Sequence, residues 1–215
     1  MRNEHYNRNS VHSLFAAVRE GNAQNVKRSL QGGVQINNYD PDGLTPLMIA
    51  SGYGHSSIVK ILLEEGANVH IVDFVMGATA LHKAAQSGNA EVVRILLDHG
   101  IFIDQQSAVL GNTALMDAIL YKQIEVVHIL LDSGARTEIR NYWNQSAQDL
   151  ASHEKISDLL DTLQDLKNKH QKKIAALKLI PAVKSGNIVN VKKALENDAW
   201  IEEEDLVDRS RSTND

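Results

Sequence analysis

Gly43-Leu-Thr-Pro-Leu-Met-Ile-Ala50 decides the fold, because the chain repeats this stretch at a nearly fixed interval. It recurs as Gly77-Ala-Thr-Ala-Leu-His-Lys-Ala84 and as Gly111-Asn-Thr-Ala-Leu-Met-Asp-Ala118, with steps of 34 residues. A weaker copy, Asn144-Gln-Ser-Ala-Gln-Asp-Leu-Ala151, follows after 33 residues. A period of this length is typical of repeat proteins, in which each copy is one small structural unit.

A second element keeps step with the first. Ser57-Ile-Val-Lys-Ile-Leu-Leu63 matches Glu91-Val-Val-Arg-Ile-Leu-Leu97 and Glu125-Val-Val-His-Ile-Leu-Leu131, and a glycine follows each copy three residues later. An incomplete copy opens near Leu14. Each unit is therefore predicted to contain two helices, and neighbouring units are expected to stack because one helix pair cannot bury its apolar face alone.

Local residue preferences predict where these helices begin and end. Thr45 can cap the first helix through its side-chain oxygen, Pro46 suits the first helical position, and Gly54 suits the end. The second helix carries an apolar stripe at helical spacing before Gly66. The stripe consists of Ile58, Ile61 and Leu62.

Together these features resemble the ankyrin repeat family. The resemblance rests on the period, the Gly-x-Thr-Pro/Ala-Leu motif, the Gly-His/Asn pair between helices and the Val-x-x-Leu-Leu-x-x-Gly-Ala run, and it covers roughly residues 10–163. It implies an all-α solenoid of stacked antiparallel helix pairs, with hairpin-like fingers along one edge. It also implies a protein that binds other proteins and has no catalytic chemistry of its own.

Charge and composition suggest how the chain is organised. Residues 164–193 carry a net charge of +7, whereas residues 1–163 and 194–215 each carry −6. We expect a polar N-terminal segment at 1–9 and a repeat domain of about five units at 10–163, with its first and last units as caps. A C-terminal helical extension at 164–200 would comprise a Lys-rich helix and a degenerate sixth unit. An acidic, disordered tail is expected at 201–215.

Composition also limits the chemistry. The chain has no cysteine, which excludes disulfides and thiolate sites. No catalytic residue, cofactor site or metal site is predicted. His82 is expected to be a structural histidine that bonds to neighbouring loop backbone, and Lys83 is expected to form an ion pair with Asp117 of the next unit.

The ends of the chain and its hydropathy bear on its location. The first ten residues are polar, and no window approaches eighteen apolar residues. These features predict a cytoplasmic protein and leave delivery to another cell open. We also expect a monomer.

The tips of the fingers are unexpectedly apolar. The first tip, Asp40-Pro-Asp-Gly43, is a polar turn, but the next three read Phe74-Val-Met76, Ala108-Val-Leu110 and Tyr142-Trp143. In the family, finger tips and the ends of the first helices form a concave binding surface, so a protein partner is expected there. We call the predicted surface the concave stripe; it comprises Tyr53, Phe74, Val75, Met76, Val109, Leu110, Leu120, Tyr121, Tyr142 and Trp143.

Two alternatives to this surface remain open. The tip side chains could pack on each other or under the C-terminal helices. A tip is the least constrained part of a repeat, however, so aromatic residues there are not expected to serve the fold. The Lys-rich helix within 164–193 could instead dock on nucleic acid or an anionic membrane. That block has no arginine and no aromatic residue for stacking on bases, and it could simply be a solvated helix face.

Overall fold

The structure is a computed structural model, and it describes the backbone of residues 2–153 and the side chains of residues 10–152. Across this range the chain forms helices joined by loops and turns, and no strand. In chain order the helices are α1 (Arg2–Arg19), α2 (Ala23–Gln31), α3 (Pro46–Tyr53), α4 (Ser56–Glu64), α5 (Ala80–Ser87), α6 (Ala90–Asp98), α7 (Ala114–Leu120), α8 (Ile124–Asp132) and α9 (Ala147–His153).

The helices pair and the pairs stack, which confirms the predicted all-α solenoid. Helix α1 pairs with α2, α3 with α4, α5 with α6 and α7 with α8, and we number these pairs units one to four. The first helices contact one another in the order α1, α3, α5, α7 and α9, and the second helices in the order α2, α4, α6 and α8. Each unit therefore touches the units before and after it.

The core lies between the two layers of helices. Leu62, Leu96 and Leu130 occupy the same position in three successive second helices, and each is 0% exposed. The predicted stripe of Ile58, Ile61 and Leu62 is buried as well. The apolar periodicity of the sequence thus identified the buried face correctly.

The predicted helix caps are present. The Thr45 hydroxyl accepts a hydrogen bond from the Met48 backbone N–H at 3.3 Å, and Pro46 occupies the first turn of α3. In the weakened fifth copy, the Ser146 hydroxyl accepts from the Asp149 N–H at 3.2 Å. These side-chain oxygens satisfy backbone donors that have no partner inside the helix.

Side chains at the start of the second helices tie successive units together. Asn89 donates its side-chain amide to the carbonyls of Ser51 (2.9 Å) and Gly52 (3.0 Å) at the end of α3. Gln123 makes the corresponding bond to the Gln86 carbonyl at 3.2 Å. These bonds satisfy carbonyls at the end of each first helix with a donor from the next unit.

Helix α1 extends into the polar N-terminal segment, and the predicted C-terminal parts of the chain lie outside the described residues. Helix α1 begins at Arg2, so most of the segment 1–9 that the sequence set apart as polar belongs to the first helix. The C-terminal helical extension, with its Lys-rich helix and sixth unit at 164–200, lies outside the described residues. So does the acidic tail at 201–215.

Truncating the core at one unit should loosen its neighbours. Leu96→Ala is expected to lower the free energy of unfolding by about 2–5 kcal/mol, because the cavity would lie between α4, α6 and α8. Urea denaturation measures this loss. Arg94→Ala, an exposed change on the same helix, should stay within about 0.5 kcal/mol of wild type. Equal stability of the two variants would contradict the core assignment.

Candidate functional site

Four fingers, at residues 40–43, 73–77, 107–111 and 141–144, connect the units, and we number them one to four. Finger two begins with buried Asp73, whose Oδ1 accepts the backbone N–H groups of Val75 (2.9 Å) and Met76 (2.6 Å). Finger four begins with buried Asn141, whose Oδ1 accepts from the Trp143 N–H at 3.1 Å. Each tip backbone is thus held from its buried side, while the tip side chains are free to face outward.

Hydrogen bonds between backbones join the fingers into one row. In each case a residue near the start of a tip donates to a carbonyl of the preceding finger. The donors and acceptors are Phe74 to Gly43 at 3.4 Å, Val109 to Met76 at 3.2 Å, and Tyr142 to Leu110 at 3.1 Å. The tips of all four fingers therefore occupy one continuous edge of the stack.

Close stacking explains why most fingers end in glycine. Gly43 and Gly111 have φ of 76° and 69°, which disfavours residues with a side chain. A Cβ on Gly43 would lie 2.7 Å from Phe74 Cβ, and one on Gly111 would lie 2.7 Å from Tyr142 Cδ1. Finger four has Asn144 at this position with φ of 60°, and the described part of the chain holds no further finger that would pack on it.

The apolar tips are exposed. The exposed fractions of Phe74, Val75, Val109, Tyr142 and Trp143 lie between 52% and 69%. Met76 and Leu110, which contribute carbonyls to the row of hydrogen bonds, are half-buried. The first finger, with Pro41 and Asp42 at its tip, is the polar one, as the sequence predicted.

The helix-end members of the concave stripe are exposed or half-buried, and one of them lies beside a finger. Tyr53 and Tyr121 are 61% and 58% exposed, and Leu120 is half-buried. Finger one and the ends of α3 and α5 line one groove of about 280 Å³. Finger residues and first-helix ends therefore face the same side in this part of the stack.

One aromatic tip also serves the fold, which corrects the expectation that none does. The Phe74 ring packs on the Tyr39 ring with centroids 4.0 Å apart, and the Tyr39 hydroxyl donates to the Val72 carbonyl at 3.2 Å. Tyr39 was missed because it precedes the finger and matches no repeated aromatic position. Trp143 makes its hydrogen bond to Asn141 through its backbone N–H, so that bond survives a change of side chain. Trp143 is therefore a better probe of binding than Phe74.

A further exposed aromatic residue lies outside the stripe. Phe102, in the loop after α6, is 63% exposed and stacks on His70 of the preceding unit at 4.3 Å between ring centroids. Its sequence position gives no hint of this role, because that loop carries no repeated aromatic residue. Phe102 offers a control of matched size and exposure for the tip residues.

His82 is a buried structural residue, as predicted. Its Nε2–H donates to the Asn112 carbonyl of the third finger at 3.0 Å. Its Nδ1 accepts from the Thr79 hydroxyl (2.9 Å) and from the Thr79 backbone N–H (3.2 Å). Burial holds the pKa of His82 below its ordinary value, although the nearby Asp117 carboxylate opposes this effect. A proton on Nδ1 would also face the Thr79 backbone N–H, which can only donate.

The expected ion pair between Lys83 and Asp117 is wrong. Lys83 Nζ lies 2.7 Å from Asp73 Oδ2 at the start of the second finger. The Asp117 oxygens instead accept side-chain amides from Gln86 and Asn112, both at 2.9 Å. Burial raises the pKa of Asp73, but Lys83 and the backbone donors of the tip outweigh it and hold that pKa below its ordinary value.

The described residues offer neither a metal site nor a membrane-spanning helix. Between residues 2 and 153, no group of three or more His, Asp or Glu side chains is arranged to hold a metal ion. No helix in the same range has the length and apolarity needed to cross a membrane.

Comparison with known proteins identifies a repeated motif. A family model of ankyrin repeats in three copies matches residues 14–107 and 65–141. A probable E3 ubiquitin-protein ligase of Oryza sativa subsp. japonica, XBOS32, is 41% identical over 69 residues, which are 32% of this chain and 14% of that protein.

Other relatives are ankyrin repeat proteins by name. The ankyrin repeat-containing protein P1E11.10 of Schizosaccharomyces pombe is 36% identical over 61 residues, 28% of this chain and 30% of that protein. The putative ankyrin repeat protein R664 of Acanthamoeba polyphaga mimivirus is 35% identical over 69 residues, 32% of this chain and 43% of that protein. The matched stretch spans less than half the length of each of these relatives.

Acid should weaken the domain through His82. Because its pKa is lowered in the folded state, the unfolded chain takes up a proton first. The free energy of unfolding should be level above about pH 6.5 and should fall below it until the folded histidine protonates. Urea denaturation at about pH 7 and pH 5 measures the slope.

His82→Met is the matched variant, because Met48 and Met116 occupy the equivalent positions in the neighbouring units. Between about pH 7 and pH 5, the free energy of unfolding of His82→Met should fall by less than that of wild type. Asp73 does not interfere, since its pKa is lowered from 3.8 and its contribution is lost only in stronger acid. Identical slopes for the two proteins would contradict the role given to His82.

Proposed function

Because the chain belongs to the ankyrin repeat family, whose repeats are in general protein-interaction modules, we propose that it binds a protein partner through the concave stripe and catalyses no reaction. The binding surface in this proposal runs along the tips of fingers two to four and the ends of α3 and α7.

The row of exposed apolar tips carries this proposal. Among the described residues, eleven large apolar side chains are exposed, and seven of them belong to the stripe. Exposed apolar surface that is contiguous usually marks an interaction site. Tyrosine and tryptophan are the side chains that most often anchor such interfaces, and finger four presents one of each.

The rigidity of the tips supports the same conclusion. Asp73 and Asn141 fix the tip backbones from inside, and the hydrogen bonds between fingers fix the tips relative to one another. A surface whose backbone is already ordered loses little conformational entropy when a partner binds. The apolar side chains can then contribute most of their burial to affinity.

Charge separates this proposal from its alternative. Asp42 is the one exposed charged side chain in the four described fingers, since Asp40 and Asp73 are buried, so a partner would bind mainly by apolar burial. The Lys-rich block 164–193, outside the described residues, is the basis for docking on nucleic acid or an anionic membrane. Docking of lysines on phosphates is driven by the release of counterions, so it weakens steeply as the salt concentration rises.

Removing the tryptophan at the end of the stripe should weaken binding without unfolding the protein. Affinity capture from a cell lysate first identifies a partner, whose Kd is then measured by calorimetry. Trp143→Ala should weaken that Kd by about thirtyfold or more, which corresponds to about 2 kcal/mol. Its melting temperature should match wild type, because the Trp143 side chain is exposed.

Phe102→Ala is the control, because Phe102 is equally exposed but lies outside the stripe. It should leave the Kd unchanged. If Phe102→Ala weakened binding as much as Trp143→Ala, or if neither had an effect, the concave stripe would not be the binding surface.

Salt dependence should distinguish the two modes of binding. For the apolar stripe, the Kd should change by less than about tenfold between 50 and 200 mM salt. Docking by several lysines on phosphates would instead lose about a thousandfold or more over that range. A steep slope, together with unchanged binding by Trp143→Ala, would favour the Lys-rich segment.

A further inference from the structure

Gly52 stands in the last turn of α3, where the fold does not require a glycine. Its backbone is helical, and a Cβ built on it would meet only Lys83 Cβ, at an ordinary contact distance of 3.8 Å. Glycine weakens a helix relative to alanine, because it loses more backbone freedom on folding. This residue therefore lowers the stability of α3 without serving its packing.

The equivalent positions in the other units carry full side chains. Arg19 in α1 reaches across to Asp40 of finger one, and Gln86 in α5 donates to Asp117 at 2.9 Å. Leu120 fills the same position in α7. Of these four first helices, α3 alone leaves the space empty.

The missing side chain opens the groove between finger one and the ends of α3 and α5. The groove measures about 280 Å³, just below the range of about 300–1,000 Å³ that is typical of small-molecule sites. Leu44 and Ile49 give it apolar lining, and exposed Tyr53 lies at its side. This size and lining suit a single large side chain of a protein partner.

The charges around the groove restrict which side chain fits. Arg19 and Lys83 both line it, and each is already paired with a buried carboxylate, Asp40 and Asp73 respectively. A free anion would therefore gain little from these cations. Asp42 remains, with a carboxylate that makes no hydrogen bond or ion pair to the described residues.

The lining of the groove disfavours a charged side chain of the partner. An acidic side chain of the partner would approach the Asp42 carboxylate. An arginine or lysine could pair with Asp42 but would have to hold its charge against the apolar lining, at a desolvation cost that a neutral ring avoids. A neutral aromatic ring would pack on Leu44, Ile49 and the Tyr53 ring beside the groove. A hydroxyl on that ring could donate to the Asp42 carboxylate.

We propose that the Gly52 groove binds a tyrosine side chain of the protein partner. The ring lies against Tyr53 and the aliphatic lining, and the phenol donates a hydrogen bond to Asp42. This inference rests on the proposed function, because it gives the interaction surface a residue-specific pocket at the end opposite finger four. Gly52 is then a specificity residue, retained at the expense of helix stability.

The test uses a defined probe, a random peptide library displayed on phage and selected on the full chain. Selected peptides should share a tyrosine at one fixed position. A synthetic peptide from this set should bind Gly52→Leu at least tenfold more weakly than wild type, because leucine occupies the groove. Peptides without an enriched tyrosine would overturn the proposal.

A paired substitution tests the phenol itself. Replacing the peptide tyrosine by phenylalanine should weaken binding to wild type severalfold. Against Asp42→Ala, the same replacement should have no effect. A tyrosine preference that is equally large in Asp42→Ala would overturn the hydrogen bond and with it the choice of tyrosine.

Gly52→Ala is the control for folding. It should raise the melting temperature by about 1–4 °C, because alanine stabilises a helix and meets no obstacle here. A lower melting temperature would show that Gly52 serves the fold and would overturn the proposal.

Comparison with Trp143→Ala separates this inference from the proposed function. Loss of peptide binding in Trp143→Ala but not in Gly52→Leu would overturn the groove and leave the stripe standing. Loss in Gly52→Leu but not in Trp143→Ala would support the groove and count against finger four as part of the surface.

Discussion

No helix pair among the described residues has a core of its own, and stacking of each pair on the next is the constraint from which the other features follow. Leu96 is completely buried because α4 and α8 flank its helix, and the same holds for its equivalents in neighbouring units. Hydrogen bonds also link each unit to its neighbours along the stack. Asn89 reaches back to the carbonyls of Ser51 and Gly52, and His82 reaches forward to the carbonyl of Asn112. Stability therefore belongs to interfaces between units.

Stacking also explains how the fingers can carry an apolar surface. Their backbones are satisfied by Asp73 and Asn141 from within and by one another across the row, so the fold makes little demand on the tip side chains. Phe74 is a partial exception, since its ring packs on Tyr39. The tip side chains are therefore free to vary with the partner. The glycine at the end of a finger is not, because the next finger packs against it and leaves no space for a side chain.

The same division applies to the first helices. Thr45 and Pro46 set the start of α3 for the sake of the helix, whereas Gly52 near its end weakens that helix and opens a groove. Functional surfaces of proteins often carry residues that lower stability, because a binding pocket needs space that a packed fold would fill. Two features depart from the repeat pattern here: the apolar tips and Gly52. The tips lie in the row of fingers, and Gly52 lines the groove beside finger one.

The sequence by itself determined the period, the helix pairs, their caps and the buried leucines, because each depends on residues a few positions apart that recur at a fixed interval. It also selected the apolar tips, since repetition made them conspicuous against Asp40-Pro-Asp-Gly43. Only the tertiary structure decided which side chains meet between units. It paired Lys83 with Asp73 and not with Asp117, placed Tyr39 under Phe74, and turned the missing side chain of Gly52 into a groove. Such contacts depend on the distance and angle between stacked units, and a one-dimensional pattern does not contain those quantities.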